Sequence, residues 1–191
     1  MSSSSTSPSS NTEVAESLLR PYDKSHLQAS FDMARQAYQN GCMPFGAVLA
    51  DGEGNVLVSS SNPTPAVSER GGAKHADPTG HAETTLLRTP TWWSLSKEER
   101  QQATLYSSTE PCVMCAGAIY WSGIGRLVYG CTALALEEQV SGPGGFDIPV
   151  KELYGMARPG ARHIDIVGPV LEEEALKVHK DSGVWCRPAK P

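Results

Sequence analysis

The sequence predicts an α/β domain in which helices cover both faces of a central sheet. Segments with helical spacing of apolar residues alternate with short β-like runs, in the order α-β-β-α-β-α-β-loop-β-α. The chain has 191 residues, of which 39% are hydrophobic, and a mean hydropathy of −0.31. This length is enough for one domain with a sizeable core.

Each element is predicted from its local pattern. Helices are expected where apolar residues recur at steps of three and four, and strands where short apolar runs lie between turn residues. Ser25 is the expected N-cap of the first helix and Gly41 its stop, and Pro111 is expected at a first helical position. The predicted elements are, in order, helix 23–41, strands 45–50 and 55–59 joined by a hairpin, loop 61–80, helix 81–88, a connection over 89–101, strand 103–108, helix 111–123, strand 126–131, turn 141–145, strand 163–167 and helix 170–179.

The termini and the cysteines suggest the organisation and location of the protein. Residues 1–14 are rich in Ser and Thr and are predicted to be a disordered tail, with a single domain over residues 15–191. The N-terminus lacks the pattern of a secretory signal, and no apolar run approaches the roughly 18 residues that span a membrane. The five cysteines, an odd number, argue against a disulfide framework. We therefore expect a cytoplasmic or at least intracellular protein, with a nuclear location also compatible.

Two short motifs carry metal-binding chemistry. His81-Ala-Glu83 and Pro111-Cys112-Val-Met-Cys115 each open a predicted helix. Cysteines three positions apart lie on one face of a helix, so both sulfurs can reach one ion, and the helix N-terminus favours their thiolate form. His81 would add a nitrogen ligand. Three protein ligands leave a fourth tetrahedral position open, as in a catalytic zinc site.

Glu83 lies two residues after the predicted histidine ligand and is better placed to carry protons than to bind the metal. A bound Zn²⁺ lowers the pKa of its water from about 15.7 to about 7. Glu83 would take a proton from that water and pass it on to a bound group. Such general acid–base steps contribute roughly 10²–10⁴-fold to the rate.

Other interpretations of these residue types exist. A lone C-x-x-C could be a redox pair or half of a structural zinc site, although the sequence has no second pair to complete such a site. The remaining cysteines, Cys42, Cys131 and Cys186, are predicted to be packing thiols. No role is assigned to the remaining histidines: His26, His163 and His179 are predicted on helix or strand surfaces, and His75 lies in the loop, where it is either solvated or borders the site.

The combination of H-x-E with a later P-C-x-x-C is the signature of zinc-dependent nucleobase deaminases. On these motifs the chain resembles the cytidine-deaminase-like superfamily, within it the branch of guanine, cytosine and tRNA adenosine deaminases. The matching segments are 44–48, the loop with Asn62, 78–83, 108–122 and 145–147. The resemblance implies a three-layer α/β/α sandwich around a five-stranded mixed sheet, one zinc per chain and usually a homodimer.

The resemblance also implies roles for individual residues. His81, Cys112 and Cys115 match the zinc ligands, and Glu83 matches the proton shuttle. The matching substrate contacts are Asn62, which hydrogen-bonds the substrate, the main-chain amide of Ala82 at a base edge, Phe45 stacking on the base, Trp121 as an aromatic wall, and Asp147 in a Gly-Phe-Asp segment. Packing alone would also explain the two aromatic residues, and a turn would explain an asparagine before proline.

One position departs from the guanine deaminase pattern. In those enzymes a second acidic residue follows the Gly-Phe-Asp segment and reads the purine, whereas this chain has Ile148. An isoleucine cannot accept a hydrogen bond, so a base that presents N–H groups at that edge is disfavoured.

Three functions follow, in order of preference. The first is hydrolytic deamination of a small amino-substituted nucleobase, nucleoside or related heterocycle, which releases ammonia. The second is editing of adenosine to inosine in tRNA, as the enzyme or as a subunit. The net charge of −5, from 16 basic and 21 acidic residues, weakens the case for a nucleic-acid partner. The third is a non-catalytic scaffold stabilised by zinc, against which Glu83 argues. The sequence does not specify the heterocycle.

Overall fold

The computed structural model describes Ala15 and residues 17–63, 77–140 and 145–184. Five strands form one mixed sheet in the order β2-β1-β3-β4-β5. The strands are β1 Gly46–Ala50, β2 Val56–Ser61, β3 Thr104–Thr109, β4 Arg126–Cys131 and β5 Asp165–Val167. The helices are α1 Asp23–Gln39, α2 Ala82–Leu86, α3 Pro90–Ser94, α4 Lys97–Gln102, α5 Val113–Ser122, α6 Ala133–Val140, α7 Val150–Gly155 and α8 Glu172–Ser182.

The direction of the strands follows from their connections. β1 pairs antiparallel with β2, to which a tight turn joins it, and antiparallel with β3. β3, β4 and β5 run parallel to one another. A parallel pair needs a crossover connection, and α5 provides it between β3 and β4. The parallel strands therefore end at the same edge of the sheet, where α5 begins.

Two hydrophobic clusters occupy the two faces of the sheet, because successive side chains of a strand point to opposite faces. Val48 of β1 joins the cluster that α1 and α8 cover, with Phe31 and Leu176. Its neighbour Leu49 joins the other cluster, which α2, α5 and α7 cover, with Ile119. The predicted three-layer sandwich around a five-stranded mixed sheet is confirmed. Within the described residues, no helix is both long enough and apolar enough to cross a membrane.

Several helix boundaries differ from the prediction. The N-cap of α1 is Tyr22, which makes no side-chain capping bond, so the prediction for Ser25 is wrong. Ser25 instead lies within the first turn and donates to the Tyr22 carbonyl over 2.8 Å. Pro111 precedes α5, whose N-cap is Cys112, so it does not occupy the first helical position. The last helix begins at Glu172, after Leu171 in a left-handed conformation, and the preceding Val170 is buried in the core.

The sequence pattern also missed several elements. The predicted connection over 89–101 contains α3 and α4, which begin at the hydroxyl caps Thr89 and Ser96. The prediction omitted α6 and α7. His179 is not on a surface but 1% exposed, because its ring bonds to Thr109 in the core. Of the predicted packing thiols, Cys131 is buried as expected and Cys42 is half-buried. His75, Cys186 and the predicted tail over 1–14 lie outside the described residues.

A buried ion pair ties α1 to the sheet. Asp23 is fully buried and accepts from two nitrogens of the Arg126 guanidinium, over 2.9 and 2.7 Å. The Tyr106 hydroxyl and the Arg20 amide each donate to it over 2.7 Å. Burial alone would raise the pKa of Asp23, but these hydrogen bonds outweigh burial and hold it below its usual value. The paired charge thus fixes the start of α1 against β3 and β4.

We predict that Asp23→Asn lowers the free energy of unfolding by about 3–5 kcal/mol, because it leaves the Arg126 charge buried without a counter-charge. The matched control is Asp32→Asn on the same helix, which removes an exposed pair with Arg35. Exposed pairs contribute little, so the control should unfold almost as the native chain does. Urea denaturation of the three proteins measures both effects. Equal stabilities of the two variants would contradict the role of the buried pair.

A second prediction concerns the pH dependence of stability. Burial lowers the pKa of His179 from 6.5 to about 4. Between these values the unfolded chain binds a proton that the folded chain does not bind. The free energy of unfolding should therefore fall as pH drops from 6.5 to 4, by up to about 3 kcal/mol. Urea denaturation across this window should give a flatter pH dependence for His179→Gln. Identical slopes in the two proteins would show that His179 does not titrate in this way.

Candidate active site

The starts of two helices bring the predicted metal ligands together. His81 is the N-cap of α2, and Cys112 is the N-cap of α5. Thr84, in the first turn of α2, holds the loop in place, since its hydroxyl oxygen accepts from the His81 amide over 3.0 Å and donates to the Thr79 carbonyl. The Nδ1 atom of His81 lies 3.6 Å from Cys112 Sγ and 3.5 Å from Cys115 Sγ.

This cluster has the donor set and the spacing of a zinc site. Its three ligand atoms lie within 4.8 Å of one another. Tetrahedral zinc, with sulfur at about 2.3 Å and nitrogen at about 2.0–2.1 Å, separates the two kinds of ligand by roughly 3.6 Å. The observed nitrogen–sulfur distances agree with this value. Glu83 is not part of the cluster of ligand atoms. His81, Cys112 and Cys115 therefore fit one zinc ion with an open coordination position.

The electrostatics of the cysteine pair favour metal binding. A hydrogen bond from Cys115 and the neighbouring His81 ring lower the pKa of Cys112 to about 4, against the effect of burial. The hydrogen bond that Cys115 donates to Cys112, together with burial, raises the pKa of Cys115. Cys112 thus presents a thiolate at neutral pH, the form that binds metals. Binding of a metal would release the remaining proton.

Glu83 is a buried carboxyl group directly beside the cluster. It is 6% exposed, and its Oε1 accepts from the Ser107 hydroxyl over 2.9 Å. Its Oε2 lies 3.4 Å from Cys115 Sγ. Burial raises the pKa of Glu83. A raised pKa makes the carboxyl group hold a proton more readily than a free glutamate does, which suits a general acid–base group.

Ser107 is a site residue that sequence reasoning missed. It lies in β3, which is buried along its whole length, and it is 2% exposed. Ser107, Ser108 and Thr109 form a polar run at the end of the strand, after Leu105 and Tyr106. Buried polar side chains need hydrogen-bond partners, so such a run is the signal that could have identified this position.

Two predicted base contacts, Ala82 and Asn62, are buried. Ala82 is the first residue of α2, fully buried, between His81 and Glu83. Asn62 follows β2 directly and is 3% exposed, and its main-chain amide donates to the Phe45 carbonyl over 2.9 Å. Both residues are thus buried near the edge of the sheet at which α2 begins.

The remaining predicted contacts have other neighbours in the structure. Phe45 is half-buried, packs against the cluster under α1 and α8, and has its ring centroid 5.2 Å from that of His179. Trp121 is 84% exposed and borders a cavity of about 290 Å³ that it shares with Trp93 and not with the zinc ligands. Asp147 is exposed in the segment that precedes α7. The predicted roles of these three residues in substrate binding stay predictions.

Comparison with known proteins agrees with this arrangement. A family model described as the cytidine and deoxycytidylate deaminase zinc-binding region matches residues 21–131. A probable cytosine deaminase from Schizosaccharomyces pombe is 33% identical over 179 residues, which cover 92% of this chain and 97% of the relative. A tRNA-specific adenosine deaminase from Haemophilus influenzae is 35% identical, covering 58% of this chain and 59% of the relative. A guanine deaminase from Bacillus subtilis is 34% identical, covering 53% and 51%.

Solved structures have the same fold. One from a study of A-to-I editing by tRNA:A34 deaminases superposes with a TM-score of 0.59 at 29% identity, covering 81% of this chain and 99% of that one. The guanine deaminase from Nitrosomonas europaea superposes with a TM-score of 0.56 at 20% identity, covering 86% and 85%. The latter likeness concerns the fold alone. On the family match, the full-length relative and the His-Cys-Cys cluster, the chain belongs to the zinc-binding cytidine and deoxycytidylate deaminase family and is a hydrolytic deaminase.

Proposed function

We propose that the chain deaminates a small amino-substituted nucleobase, nucleoside or related heterocycle. In this reaction water replaces the exocyclic amine on the ring carbon, the product carries a carbonyl, and ammonia leaves. The observation that carries the proposal is the buried Glu83 carboxyl beside His81, Cys112 and Cys115. A structural zinc site would have no use for such a carboxyl group, which argues against the scaffold interpretation.

The residues of the site have separate roles in the proposed reaction. His81, Cys112 and Cys115 would hold Zn²⁺, which when bound supplies Lewis acidity and lowers the pKa of a water molecule to about 7. Glu83 moves the protons. The Ser107 hydroxyl donates to Oε1 of Glu83 over 2.9 Å. The Oε2 atom, on the Cys115 side, is therefore the one that would take up and deliver the protons. Ser107 thus acts on the reaction by orienting Glu83.

The base would be held by groups that flank these residues. As the first residue of α2, Ala82 has an N–H without a carbonyl partner inside the helix, so this N–H can donate to a base edge. The Asn62 amide can both donate to and accept from a base. The proposal also includes Phe45 and Asp147 as substrate contacts. Trp121 would form a wall only where a substrate or a second copy of the chain covers its exposed face.

Within this class we propose a free base of the cytosine type as the first substrate to test. The full-length relative from Schizosaccharomyces pombe bears the name of a probable cytosine deaminase. Ile148 offers no acceptor for the N–H groups of guanine. Editing of tRNA is the second candidate, favoured by the relative from Haemophilus influenzae. The net charge of −5 opposes it, since polyanions bind basic surfaces.

Assembly and location are part of the same proposal. We propose a homodimer, since Trp93 and Trp121 are 65% and 84% exposed around one cavity, and exposed aromatic side chains of this kind are typical of interfaces. We also propose a cytoplasmic location and a role in nucleobase metabolism. The cytoplasm is a reducing compartment, which protects the two thiol ligands from oxidation.

We predict that Glu83→Gln abolishes turnover without loss of the metal. The amide can still accept from Ser107, so the fold is kept, but it cannot carry protons. The kcat for ammonia release should fall by about 10²–10⁴-fold, while zinc content by mass spectrometry stays near one per chain. The control is Glu98→Gln at an exposed position of α4, which should keep full activity. Near-normal turnover by Glu83→Gln would rule out this mechanism.

We also predict that position 148 decides between bases. Ammonia release from cytosine should exceed release from guanine in the native chain. Ile148→Glu should raise the kcat/KM ratio of guanine to cytosine by about tenfold or more, because a carboxylate can accept from the guanine N–H groups. Ile148→Leu, which adds no acceptor, should leave the ratio unchanged.

Either of two results would contradict this assignment. A native preference for guanine would show that Ile148 does not disfavour it. Salt-sensitive turnover of a tRNA anticodon stem-loop, with none of the free bases, would favour the editing function instead.

A further inference from the structure

We propose that Glu110 is a positioning residue that joins the metal-binding turn to the segment that reads the base. The inference deepens the proposed function and rests on it. Glu110 directly precedes Pro111 and Cys112, and is only 8% exposed. It is not among the residues that the sequence motifs identified as ligands or substrate contacts.

Three polar atoms of Glu110 make hydrogen bonds. Its main-chain amide donates to the Cys131 carbonyl over 2.8 Å. Its Oε2 accepts from the Ala133 amide over 3.1 Å, and its Oε1 accepts from the Val150 amide over 2.8 Å. These two amides belong to the first residues of α6 and α7. First-turn amides have no partner within their own helix, so one carboxylate supplies an acceptor to two helix starts.

The Val150 contact determines where the preceding segment lies. Asp147 and Ile148 are three and two residues before Val150, and Cys112 is two residues after Glu110. The hydrogen bond between Oε1 and the Val150 amide therefore links the proposed base-reading segment to a metal ligand by a short path. The chain connection alone would not fix the distance between Cys112 and the segment before Val150, because α6 and nine further residues separate the starts of α6 and α7.

The function of Glu110 depends on its having two acceptor oxygens. A glutamine has one acceptor oxygen and an NH₂ group, which would meet an amide N–H donor to donor. Glu110→Gln should thus release one helix start while it keeps the size of the side chain. Where the Val150 amide is the one released, the segment before it loses its position relative to the metal, which weakens binding of the base more than it slows the chemistry.

The chain offers a matched control in Glu172. Its Oε1 accepts from the amide and the hydroxyl of Thr132, over 3.1 Å each, next to the start of α6. It makes no described contact with Val150. Glu172→Gln therefore removes the same charge beside the same helix start, while its remaining oxygen can still accept from Thr132, so it does not touch the proposed link.

The test uses zinc-loaded protein and compares the variants with the native chain. It measures KM and kcat for the preferred base, and amide hydrogen exchange. Glu110→Gln should speed exchange at Ala133 or at Val150, and release of Val150 should raise KM by about tenfold or more while kcat stays within about threefold. Glu172→Gln should leave KM unchanged. A second variant, Val150→Pro, removes the same hydrogen bond from the donor side, and proline is accepted at a first helical position. It should reproduce the KM effect and serves where Glu110→Gln fails to fold.

Three results would overturn the inference. Faster exchange at Val150 with an unchanged KM would show that the segment does not act on the base. Equal KM changes in Glu110→Gln and Glu172→Gln would reduce the effect to general destabilisation. Unchanged exchange at both Ala133 and Val150 in Glu110→Gln would remove the link itself. This last measurement needs no activity, so it fails or succeeds separately from the proposed function, which fails if the native chain deaminates none of the bases.

Discussion

The arrangement of the site depends on a run of four buried polar residues at the end of β3. A buried polar group is unfavourable unless it finds a partner, and each of these four finds one on a different element. The partners are Glu83 of α2 for Ser107, the Gly46 amide of β1 for Ser108, His179 of α8 for Thr109, and the first amides of α6 and α7 for Glu110. The carboxyl end of this central strand thus holds the surrounding elements in place, and the next residues of the chain lead into the metal ligands.

The ligands themselves occupy helix starts, where Ser, Thr, Asp or Asn would stabilise the helix best. Cys112 is the N-cap of α5 and makes no side-chain capping bond, which leaves its sulfur free to face His81. The helix therefore gives up a capping interaction, typically about 1 kcal/mol, for a metal ligand. Local rules of stability fail here because the position serves chemistry, as is common at functional sites.

Local patterns were sufficient for much of the fold and for the metal ligands. The strands, α1 and the shared helix face of Cys112 and Cys115 follow from periodicity and spacing within short stretches of sequence. The pairing of these cysteines with His81 follows from the deaminase signature. The partner of His179 is Thr109, 70 positions away, so nothing near His179 marks it as buried. The bonds of Glu110 to α6 and α7 are equally remote. These helices are short, and their starts are held by a side chain from another part of the chain, which no local pattern indicates.

The central claim is that one histidine and two cysteines hold a zinc ion with an open position for chemistry. X-ray absorption at the zinc edge of the purified protein tests it most directly, since sulfur and nitrogen ligands scatter at different distances. We expect two sulfur ligands at about 2.3 Å and two lighter ligands at about 2.0–2.1 Å, one from His81 and one exchangeable. Replacing Cys112 with serine should remove one sulfur, and replacing Cys42 should change nothing. A shell of four protein ligands, or a zinc ion that keeps both sulfurs without Cys112, would contradict the account.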